Sequence, residues 1–376
     1  MDQPPLSRRR FTGTLGAAVG AAFAGLPRPA AASLSRGEPS DLVQLNSNEN
    51  PYGPSERALA AMTQAQAVAC RYPDAAEEEM VLALARHHGV APERVVLGCG
   101  SSDVLRMAGT AFLGPGRTVL AAEPTFEAVL AYAHVTRAEP VKVPLDAGFR
   151  HDLDAMARAC DARTGLVYVC NPNNPTGTIV AADALAAFLP RVPPTAVVLV
   201  DEAYHHFVED PAHRSAADML DRFPNLVVAR TFSKIYGMAG MRLGYGLASE
   251  ANATALRARA SWSNVNAAAL AAGLASLEDD GLVARQRALL NRERRRLCAE
   301  LERDGRRTIP SEANFVMVEV GTDVRPLIDA FRARRILVGR RFAPMPTWLR
   351  VSVGRPAEMD AFLSALREIV PARRAA

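Results

Sequence analysis

One lysine of the chain has the surroundings of an amine nucleophile. Lys234 ends the segment Arg230–Lys234, which also contains Thr231 and Ser233 and follows the apolar run Leu226–Val228. A lysine among small and hydroxyl residues is compatible with a solvated surface position. It is equally compatible with a Schiff base, because an unprotonated ε-amine attacks a carbonyl carbon.

A buried acidic residue is predicted at the end of a second apolar run. Asp201 follows Val197–Val200 directly and opens the segment Asp201–Tyr204. A carboxylate at the end of a fully apolar strand is costly unless it meets a cation. We therefore expect Asp201 to face a positively charged group.

Two loops after other apolar runs carry groups that could bind an anion or donate hydrogen bonds. The segment Gly98–Asp103 follows Val95–Leu97. Its glycines, serines and predicted helix start suit a phosphate, although the same pattern is also typical of a simple turn. The loop Asn171–Gly177 follows Leu166–Val169 and contains two prolines and three asparagines, which predict an irregular loop with side-chain amides.

These groups follow strand-like runs that alternate with helical stretches. Such alternation predicts βαβ units and a mostly parallel sheet with helices on both faces. In such sheets the ligand lies beyond the carboxyl ends of the strands, which is where the groups above are found. The runs are Val95–Leu97, Thr118–Leu120, Val141–Val143, Leu166–Val169, Val197–Val200, Leu226–Val228 and Leu243–Leu247, and the helical stretches include Ser102–Phe112, Phe126–Thr136 and Ala181–Leu189.

The composition is that of an ordinary globular protein. Of the 376 residues, 49% are hydrophobic and 22% are charged, which excludes a disordered, collagen-like or coiled-coil protein. The five cysteines form no C-x-x-C pair and no zinc spacing, so we predict neither a disulfide scaffold nor a metal site. The formal net charge is +4, and much of the excess lies near the N-terminus.

The N-terminal segment resembles a bacterial twin-arginine export signal. Ser7–Phe11 reads Ser-Arg-Arg-Arg-Phe, the apolar stretch Leu15–Leu26 follows, and Ala30–Ala32 supplies small residues of the kind a signal peptidase accepts. This stretch is too short for a transmembrane helix, which needs about 20 apolar residues. Cleavage after Ala32 would leave a net charge of +1, which favours neither nucleic acid nor a membrane as partner. We expect an exported or periplasmic protein; the alternative is a cytoplasmic protein with a disordered basic tail.

Six short segments occur in order between about Leu45 and Leu366. They are Leu45–Pro54 (LNSNENPYGP), Arg71–Asp74 (RYPD), Asn174–Gly177 (NPTG), Asp201–Tyr204 (DEAY), Thr231–Lys234 (TFSK) and Trp348–Val351 (WLRV). As a set they resemble the fold-type I aminotransferases that use pyridoxal 5′-phosphate (PLP), and within that family the histidinol-phosphate aminotransferases. The resemblance implies a PLP-dependent transaminase (EC 2.6.1.-). Such an enzyme transfers an amino group from an amino acid or amino-alcohol phosphate to a 2-oxo acid such as 2-oxoglutarate.

The resemblance also implies an α/β architecture. A large domain would contain a mostly parallel seven-stranded sheet between helices, and a smaller α/β domain would follow it. The implied division is a signal peptide at 1–32, an N-terminal arm at 33–58, a large PLP-binding domain at 59–250 and a small C-terminal domain at 251–376.

Individual residues receive roles from the same resemblance. Lys234 would carry PLP and move a proton, while Asp201 would pair with the pyridinium nitrogen and keep the ring an electron sink. Asn174 and Tyr204 would donate hydrogen bonds to the ring oxygen, and Phe126 would stack on the ring. The cofactor phosphate would be held by Gly100, Ser101, Ser102, Thr231, Ser233 and Arg242.

Two further implied roles concern a partner subunit and the substrate. Tyr52 matches the tyrosine that reaches the cofactor phosphate of the neighbouring subunit, so the resemblance implies a homodimer. Arg350, together with Asn174, would hold the substrate, since a guanidinium can bind either a carboxylate or a phosphate through paired hydrogen bonds.

Departures from the family pattern bear on the substrate. Histidinol-phosphate aminotransferases usually carry a phosphate-binding tyrosine shortly before the Asn-Glu-Asn-Pro motif, and Ser33–Val43 contains none. Arg355 follows Gly354 where relatives commonly have threonine; it, Arg340 and Arg341 are either surface residues or groups that bind an acidic substrate. The missing tyrosine favours an ordinary α-amino acid, such as an aromatic one, over histidinol phosphate.

A PLP-dependent decarboxylase on the same scaffold and a non-catalytic PLP-binding protein are the alternative functions.

Overall fold

The computed structural model describes residues 41–371, so the predicted export signal lies outside the described residues. The α-helices are α1 (Glu56–Ala65), α2 (Asp74–His88), α3 (Ser101–Phe112), α4 (Ala128–Thr136), α5 (Leu153–Ala159), α6 (Ala182–Phe188), α7 (Glu250–Arg257), α8 (Ala267–Leu277), α9 (Leu282–Arg303), α10 (Val324–Ala333) and α11 (Pro356–Ile369). The strands are β1 (Val43–Leu45), β2 (Val95–Gly98), β3 (Thr118–Glu123), β4 (Glu139–Pro144), β5 (Thr164–Cys170), β6 (Val197–Asp201), β7 (Leu226–Thr231), β8 (Gly244–Ala248), β9 (Thr308–Ile309), β10 (Phe315–Glu319), β11 (Ile336–Val338) and β12 (Trp348–Ser352).

A seven-stranded sheet is the framework of the fold, with the strand order β2-β8-β7-β6-β5-β3-β4. Strands β3 to β7 all run parallel to one another, whereas β8 runs antiparallel to both of its neighbours, β2 and β7. Each of the seven predicted runs overlaps one of these strands. The predicted mostly parallel sheet is therefore confirmed.

The runs are continuously apolar because the sheet is buried on both faces. Tyr168 of β5 packs into one apolar cluster with Val104 of α3 and Leu256 of α7. The next residue, Val169, packs into the cluster on the opposite face, together with Met80 of α2. Helices thus cover both faces, as predicted. Of the helices in residues 41–371, none is long and apolar enough to cross a membrane.

Two smaller sheets complete the described chain. β12, β10 and β9 form an antiparallel sheet, and β1 pairs in parallel with β11, so that Val43 lies opposite Ile336. Leu45 of β1 joins the apolar cluster of Phe331 and Phe362, whose rings stack with their centres 5.4 Å apart. The beginning of the described chain is therefore packed together with its C-terminal part. The predicted domain limits at 58 and 250 stay predictions.

Candidate active site

A cavity of about 350 Å³ lies beyond the carboxyl ends of three parallel strands, β5, β6 and β7. The last residues of these strands, Cys170, Asp201 and Thr231, all line it. It is also lined by most of the residues that the sequence predicted for a PLP site: Ser101, Ser102, Phe126, Asn174, Asp201, Tyr204, Thr231, Ser233, Lys234, Arg242 and Arg350. Within residues 41–371, no group of three or more His, Cys, Asp or Glu side chains could hold a metal ion.

Lys234 lies in the loop after β7. Its Nζ donates hydrogen bonds to the main-chain oxygens of Asn48 (3.0 Å) and Ser47 (3.3 Å). Burial, with a smaller contribution from the positive charge of Arg350, lowers the pKa of Lys234 to about 8. A larger fraction of this amine is therefore unprotonated near neutral pH than in an ordinary lysine, as a Schiff-base-forming amine requires.

Asp201 is a buried carboxylate at the end of β6. Its Oδ2 accepts a hydrogen bond from the Tyr168 hydroxyl (2.9 Å), and its Oδ1 accepts one from the Ala203 N–H (3.1 Å). Burial raises the pKa of Asp201 to about 6, and no arginine or lysine of the described chain forms an ion pair with it. A buried carboxylate without its own counter-ion fits a ligand that brings a cation, such as a protonated pyridine nitrogen.

An anion cradle is formed where α3 begins. Gly100 precedes the helix with φ +79° and ψ 163°, and a Cβ at this position would lie 2.3 Å from Arg242 Nη2. The Arg242 guanidinium can therefore pack directly on the glycine, and it also donates to Ser233 Oγ (3.3 Å). The Thr231 hydroxyl donates to the same Ser233 oxygen (2.9 Å). Helix N–H groups, two hydroxyls and a guanidinium together suit a phosphate.

Side chains for contacts with a cofactor ring line the same cavity. The Tyr204 hydroxyl oxygen accepts hydrogen bonds from Asn48 Nδ2 (3.0 Å) and Asn174 Nδ2 (3.5 Å). Burial raises the pKa of Tyr204, so the phenol is neutral at physiological pH. Phe126 lines the cavity and is 37% exposed, which leaves its ring available for stacking.

Arg350 is brought to the cavity by β12. Its Nη1 donates to Asn174 Oδ1 (2.6 Å) and its Nη2 to the Asn46 main-chain oxygen (2.9 Å), while its buried Nε has no hydrogen-bond partner among the described residues. Burial lowers the pKa of Arg350 to about 10, so it remains charged at neutral pH. A buried cation with no carboxylate partner suits an anionic group of the substrate.

The sequence left open whether Arg340, Arg341 and Arg355 bind the substrate. Of these three arginines, Arg340 lines the cavity. Its Nη2 donates to Glu127 Oε2 (2.7 Å), and its guanidinium carbon lies 4.4 Å from the centre of the Phe342 ring. The guanidinium carbon of Arg350 lies 5.3 Å from the same ring centre. Two guanidinium groups therefore flank one aromatic ring of the cavity wall.

Three other residues singled out in the sequence lie outside the cavity. The ring of Tyr52 is partly buried against the core of its own chain, with the guanidinium carbon of Arg355 5.7 Å from its centre. Arg355 Nε donates to the Pro51 main-chain oxygen (3.0 Å). Arg341 Nε donates to Asp323 Oδ2 (2.9 Å). Arg341 and Arg355 therefore hold structural contacts.

The sequence did not indicate a role for three neighbouring main-chain oxygens. Those of Ser47 and Asn48 accept from Lys234, and that of Asn46 accepts from Arg350. All three residues belong to the LNSNENPYGP segment. The segment could be recognised, but main-chain acceptors leave no signature in residue types.

Comparison with known proteins identifies the class of this site. Residues 40–366 match the family "Aminotransferase class I and II". A histidinol-phosphate aminotransferase of Symbiobacterium thermophilum is 44% identical over 329 residues, which cover 87% of this chain and 90% of the relative. Histidinol-phosphate aminotransferase 2 of Pseudomonas aeruginosa is 41% identical, with coverage of 89% and 90%. The solved structure of histidinol-phosphate aminotransferase from Sinorhizobium meliloti in complex with pyridoxal-5′-phosphate aligns with a TM-score of 0.82 and 29% identity, covering 87% of this chain and 90% of that one.

The chain belongs to the class I and II aminotransferase family, and it is a PLP-dependent transaminase. The described residues fit the cofactor: Lys234 offers an amine with a lowered pKa, Asp201 a carboxylate without a counter-ion, and Gly100 with Arg242 an anion cradle. Bound PLP supplies the electron sink for the negative charge that develops when the amino donor loses its α-proton. Asp201 would hold the ring nitrogen in its protonated form, and Lys234 would accept and return the proton.

Proposed function

We propose that the protein transfers the amino group of a phosphorylated amino alcohol, of the histidinol phosphate type, to a 2-oxo acid such as 2-oxoglutarate. The observation that carries this proposal is the pair of guanidinium groups, Arg340 and Arg350, on the Phe342 ring. A phosphate monoester carries up to two negative charges near neutral pH, so two arginines match it better than they match one carboxylate. Relatives that are aligned over about nine tenths of their length are histidinol-phosphate aminotransferases, which supports the same substrate class.

The two arginines would play different parts in holding the phosphate. Arg350 is buried and bonds to an amide oxygen and a main-chain oxygen rather than to a carboxylate, so its positive charge is left for an anion in the cavity. Arg340 is paired with Glu127, but both side chains are more than half exposed. Because an exposed ion pair contributes little free energy, a substrate phosphate can replace Glu127 at small cost.

The missing tyrosine of Ser33–Val43 favours an α-amino acid instead, and kinetics separate the two substrates. The measurement is kcat/KM for histidinol phosphate and for aromatic amino acids, with 2-oxoglutarate as acceptor and glutamate as product. We expect histidinol phosphate to be preferred roughly tenfold or more, the effect of one additional charge-assisted hydrogen bond. A higher kcat/KM for any α-amino acid would overturn the proposal.

Arg340→Met tests whether the pair of guanidinium groups binds the substrate phosphate, and Arg341→Met is its matched control. Arg340→Met should lower kcat/KM for histidinol phosphate roughly tenfold or more and affect an aromatic amino acid much less. Arg341 lies outside the cavity and contacts Asp323, so Arg341→Met should leave both values unchanged. An equal loss for both substrates in Arg340→Met would show that Arg340 does not bind the phosphate.

A homodimer is the assembly that we propose. An apolar groove of about 430 Å³ among α1, α2 and α8 is lined by Val68, Tyr72 and Leu274, among others. Tyr72 is 83% exposed, and large exposed aromatic side chains beside an apolar groove are typical of an interface. Tyr52, to which the resemblance assigns the contact with the partner's cofactor phosphate, is partly buried against its own chain, whereas Tyr72 is largely exposed.

Export by the twin-arginine route is the localisation that we propose, and the pattern of Ser7–Phe11 and Ala30–Ala32 supports it. In cell fractionation, the wild-type protein should be found outside the cytoplasm with Ser33 as its N-terminus. The variant with Arg8→Lys and Arg9→Lys should stay unprocessed in the cytoplasm. An unprocessed cytoplasmic wild-type protein would contradict the proposal.

A further inference from the structure

Asn48 connects several parts of the active site. Its side-chain Nδ2 donates to the Tyr204 hydroxyl (3.0 Å), and its main-chain oxygen accepts from Lys234 Nζ (3.0 Å). Its N–H donates to Ser352 Oγ of β12 (2.8 Å), and Asn314 Nδ2 donates to its main-chain oxygen (3.0 Å). The residue is only 1% exposed, so these contacts fix its position.

The Asn48 amide lies between the hydroxyls of Ser352 and Tyr204. Ser352 Oγ donates to Asn48 Oδ1 (3.3 Å), so the carbonyl end of the amide faces the serine. The NH₂ end then faces Tyr204. Asn48 consequently acts as a donor, and not as an acceptor, toward the phenol.

The Tyr204 hydroxyl has a hydrogen-bond donor that no described residue uses. A hydroxyl oxygen has two lone pairs and one hydrogen. Asn48 Nδ2 at 3.0 Å and Asn174 Nδ2 at 3.5 Å approach the oxygen, and neither nitrogen can accept a hydrogen bond. The phenolic hydrogen meets no acceptor among the described residues, so it is available to a ligand in the cavity that Tyr204 lines.

The charged groups near Tyr204 do not compete for this hydroxyl. Lys234 Nζ lies 5.7 Å from the ring centre, and Arg350 and Asp201 influence the phenol through their charges. None of the three forms a hydrogen bond with the hydroxyl. Its orientation is therefore decided by Asn48 and Asn174, of which Asn48 makes the shorter contact.

We propose that Asn48 is a positioning residue for the transamination reaction: by donating to the Tyr204 oxygen, it directs the phenolic hydrogen at the ring oxygen of bound PLP. Without this donor the hydroxyl can rotate, and its hydrogen bond to the cofactor weakens. The proposal concerns the PLP-loaded enzyme before any amino donor binds. It therefore rests on the transaminase activity and not on the substrate proposed above.

The backbone conformation at position 48 allows the side chain to be removed without strain. Asn48 has φ +54°, in the left-handed region that glycine adopts without strain. Asn48→Gly therefore removes the Nδ2 donor while the main chain can keep its contacts with Lys234, Ser352 and Asn314. Asn48→Asp keeps the shape but presents an acceptor to Tyr204, which draws the phenolic hydrogen away from the cofactor.

The experiment is a pH titration of the visible absorbance of the PLP-loaded protein, with no amino donor present. A hydrogen bond donated to the ring oxygen stabilises negative charge there and so favours loss of the proton held near the linked lysine nitrogen. We expect Asn48→Gly to raise the titration midpoint by roughly half to one pH unit. Asn48→Asp should raise it further. The double variant Asn48→Gly/Tyr204→Phe should have the midpoint of Tyr204→Phe alone, because both changes remove the same interaction.

Asn314→Ala is the matched control. Asn314 Nδ2 donates to the main-chain oxygens of Asn48 and Glu49, so its removal loosens the same segment without changing the donor to Tyr204. It should lower Tm and leave the midpoint unchanged. An unshifted midpoint in PLP-loaded Asn48→Gly, an equal shift in Asn314→Ala, or additive shifts in the double variant would each overturn the proposal. If Asn48→Gly fails to fold or to retain PLP, an unshifted midpoint in Asn48→Asp overturns it instead.

Discussion

Lys234 is one of only two lysines in the chain. The other, Lys142 of β4, pairs with Glu123 at 2.7 Å, and both of those side chains are more than 40% exposed. Lys234 instead lines the cavity and has a lowered pKa. The protein therefore offers one partly buried amine in the cavity for the cofactor and one solvated amine as an internal control.

Borohydride reduction of the PLP-loaded protein should attach the cofactor to Lys234 alone, because reduction fixes whichever amine is bonded to PLP. Peptide mass mapping would locate the label. Lys234→Ala should remain unlabelled and lose both the visible absorbance and the transaminase activity, while Lys142→Ala should match the wild type. Label on Lys142, or full activity in Lys234→Ala, would show that the lysine is misassigned.

Among individual residues, side chains with distinctive chemistry could be predicted from the sequence, whereas the groups that they contact could not. Asp201 stood out as an acidic residue at the end of an apolar run, and Arg350 was indicated by the family resemblance; the structure places both at one cavity. Tyr168 was indistinguishable from the apolar residues of its strand, although it donates to Asp201 at 2.9 Å. The reason is that strand periodicity gives the face of a side chain but not the group on the neighbouring strand that it meets.

The helices and strands position the cofactor-binding groups only if certain residues adopt special backbone conformations. Gly100, directly before α3, is the clearest case. Its φ of +79° and ψ of 163° are nearly exclusive to glycine, and its missing side chain makes room for Arg242. Gly100→Ala should weaken PLP binding roughly tenfold or more, because the new Cβ would displace the Arg242 guanidinium from the cradle and remove charge-assisted hydrogen bonding to the phosphate. The PLP dissociation constant, measured by fluorescence, tests this expectation.

Gly114→Ala is the control for that change, because a Cβ at Gly114 would meet nothing within 4 Å. It should leave PLP affinity unchanged. Equal affinities of the Gly100→Ala and wild-type proteins would mean that the α3 cradle does not hold the cofactor phosphate.

The strands themselves were predictable, but their arrangement was not. Apolar β-branched residues fill the runs, and burial on both faces makes such runs continuous. The direction of β8 could not be predicted, because its sequence, Gly244–Ala248, is equally compatible with parallel and antiparallel pairing. The pairing of β1 with β11 was not predictable either, since three residues carry too little pattern to specify a distant partner.

Across the whole molecule, partly buried histidines couple stability to pH. Burial is the main cause that lowers the pKa of His88 to about 3 and of His205 to about 4, and it holds the pKa of His206 well below its usual value. The folded protein keeps these rings neutral, whereas the unfolded chain takes up protons below about pH 6.5. The stability they contribute is therefore present above pH 6.5 and is lost as the pH falls toward 4.

The free energy of unfolding in urea should accordingly fall between pH 6.5 and 4.5, by about 1.4 kcal/mol per pH unit for each proton taken up on unfolding. Asp201 acts in the opposite sense in the PLP-free protein, since its pKa is raised to about 6, but the three histidines outnumber it. His205→Gln should reduce the slope. A flat profile over this range would contradict the expectation.

Assembly is the other property of the whole molecule that can be tested. The wild-type protein should sediment as a dimer, and Tyr72→Ser should weaken the dimer because Tyr72 is 83% exposed beside the apolar groove. PLP retention in Tyr52→Phe and Tyr72→Phe would show which tyrosine reaches the partner's cofactor phosphate. A fully active monomer would refute the shared site.

The pairing of β1 with β11 has a consequence for the order in which the chain is made. β1 leaves the ribosome early, but Ile336–Val338, its partner, is translated only near the end of synthesis. Until then Leu45 lacks the apolar neighbours Phe331 and Phe362. The export signal proposed for residues 1–32 therefore precedes a strand that is paired only when translation is almost complete. A nascent or truncated chain would carry the signal next to an unpaired strand, and the finished protein would carry it next to a paired one.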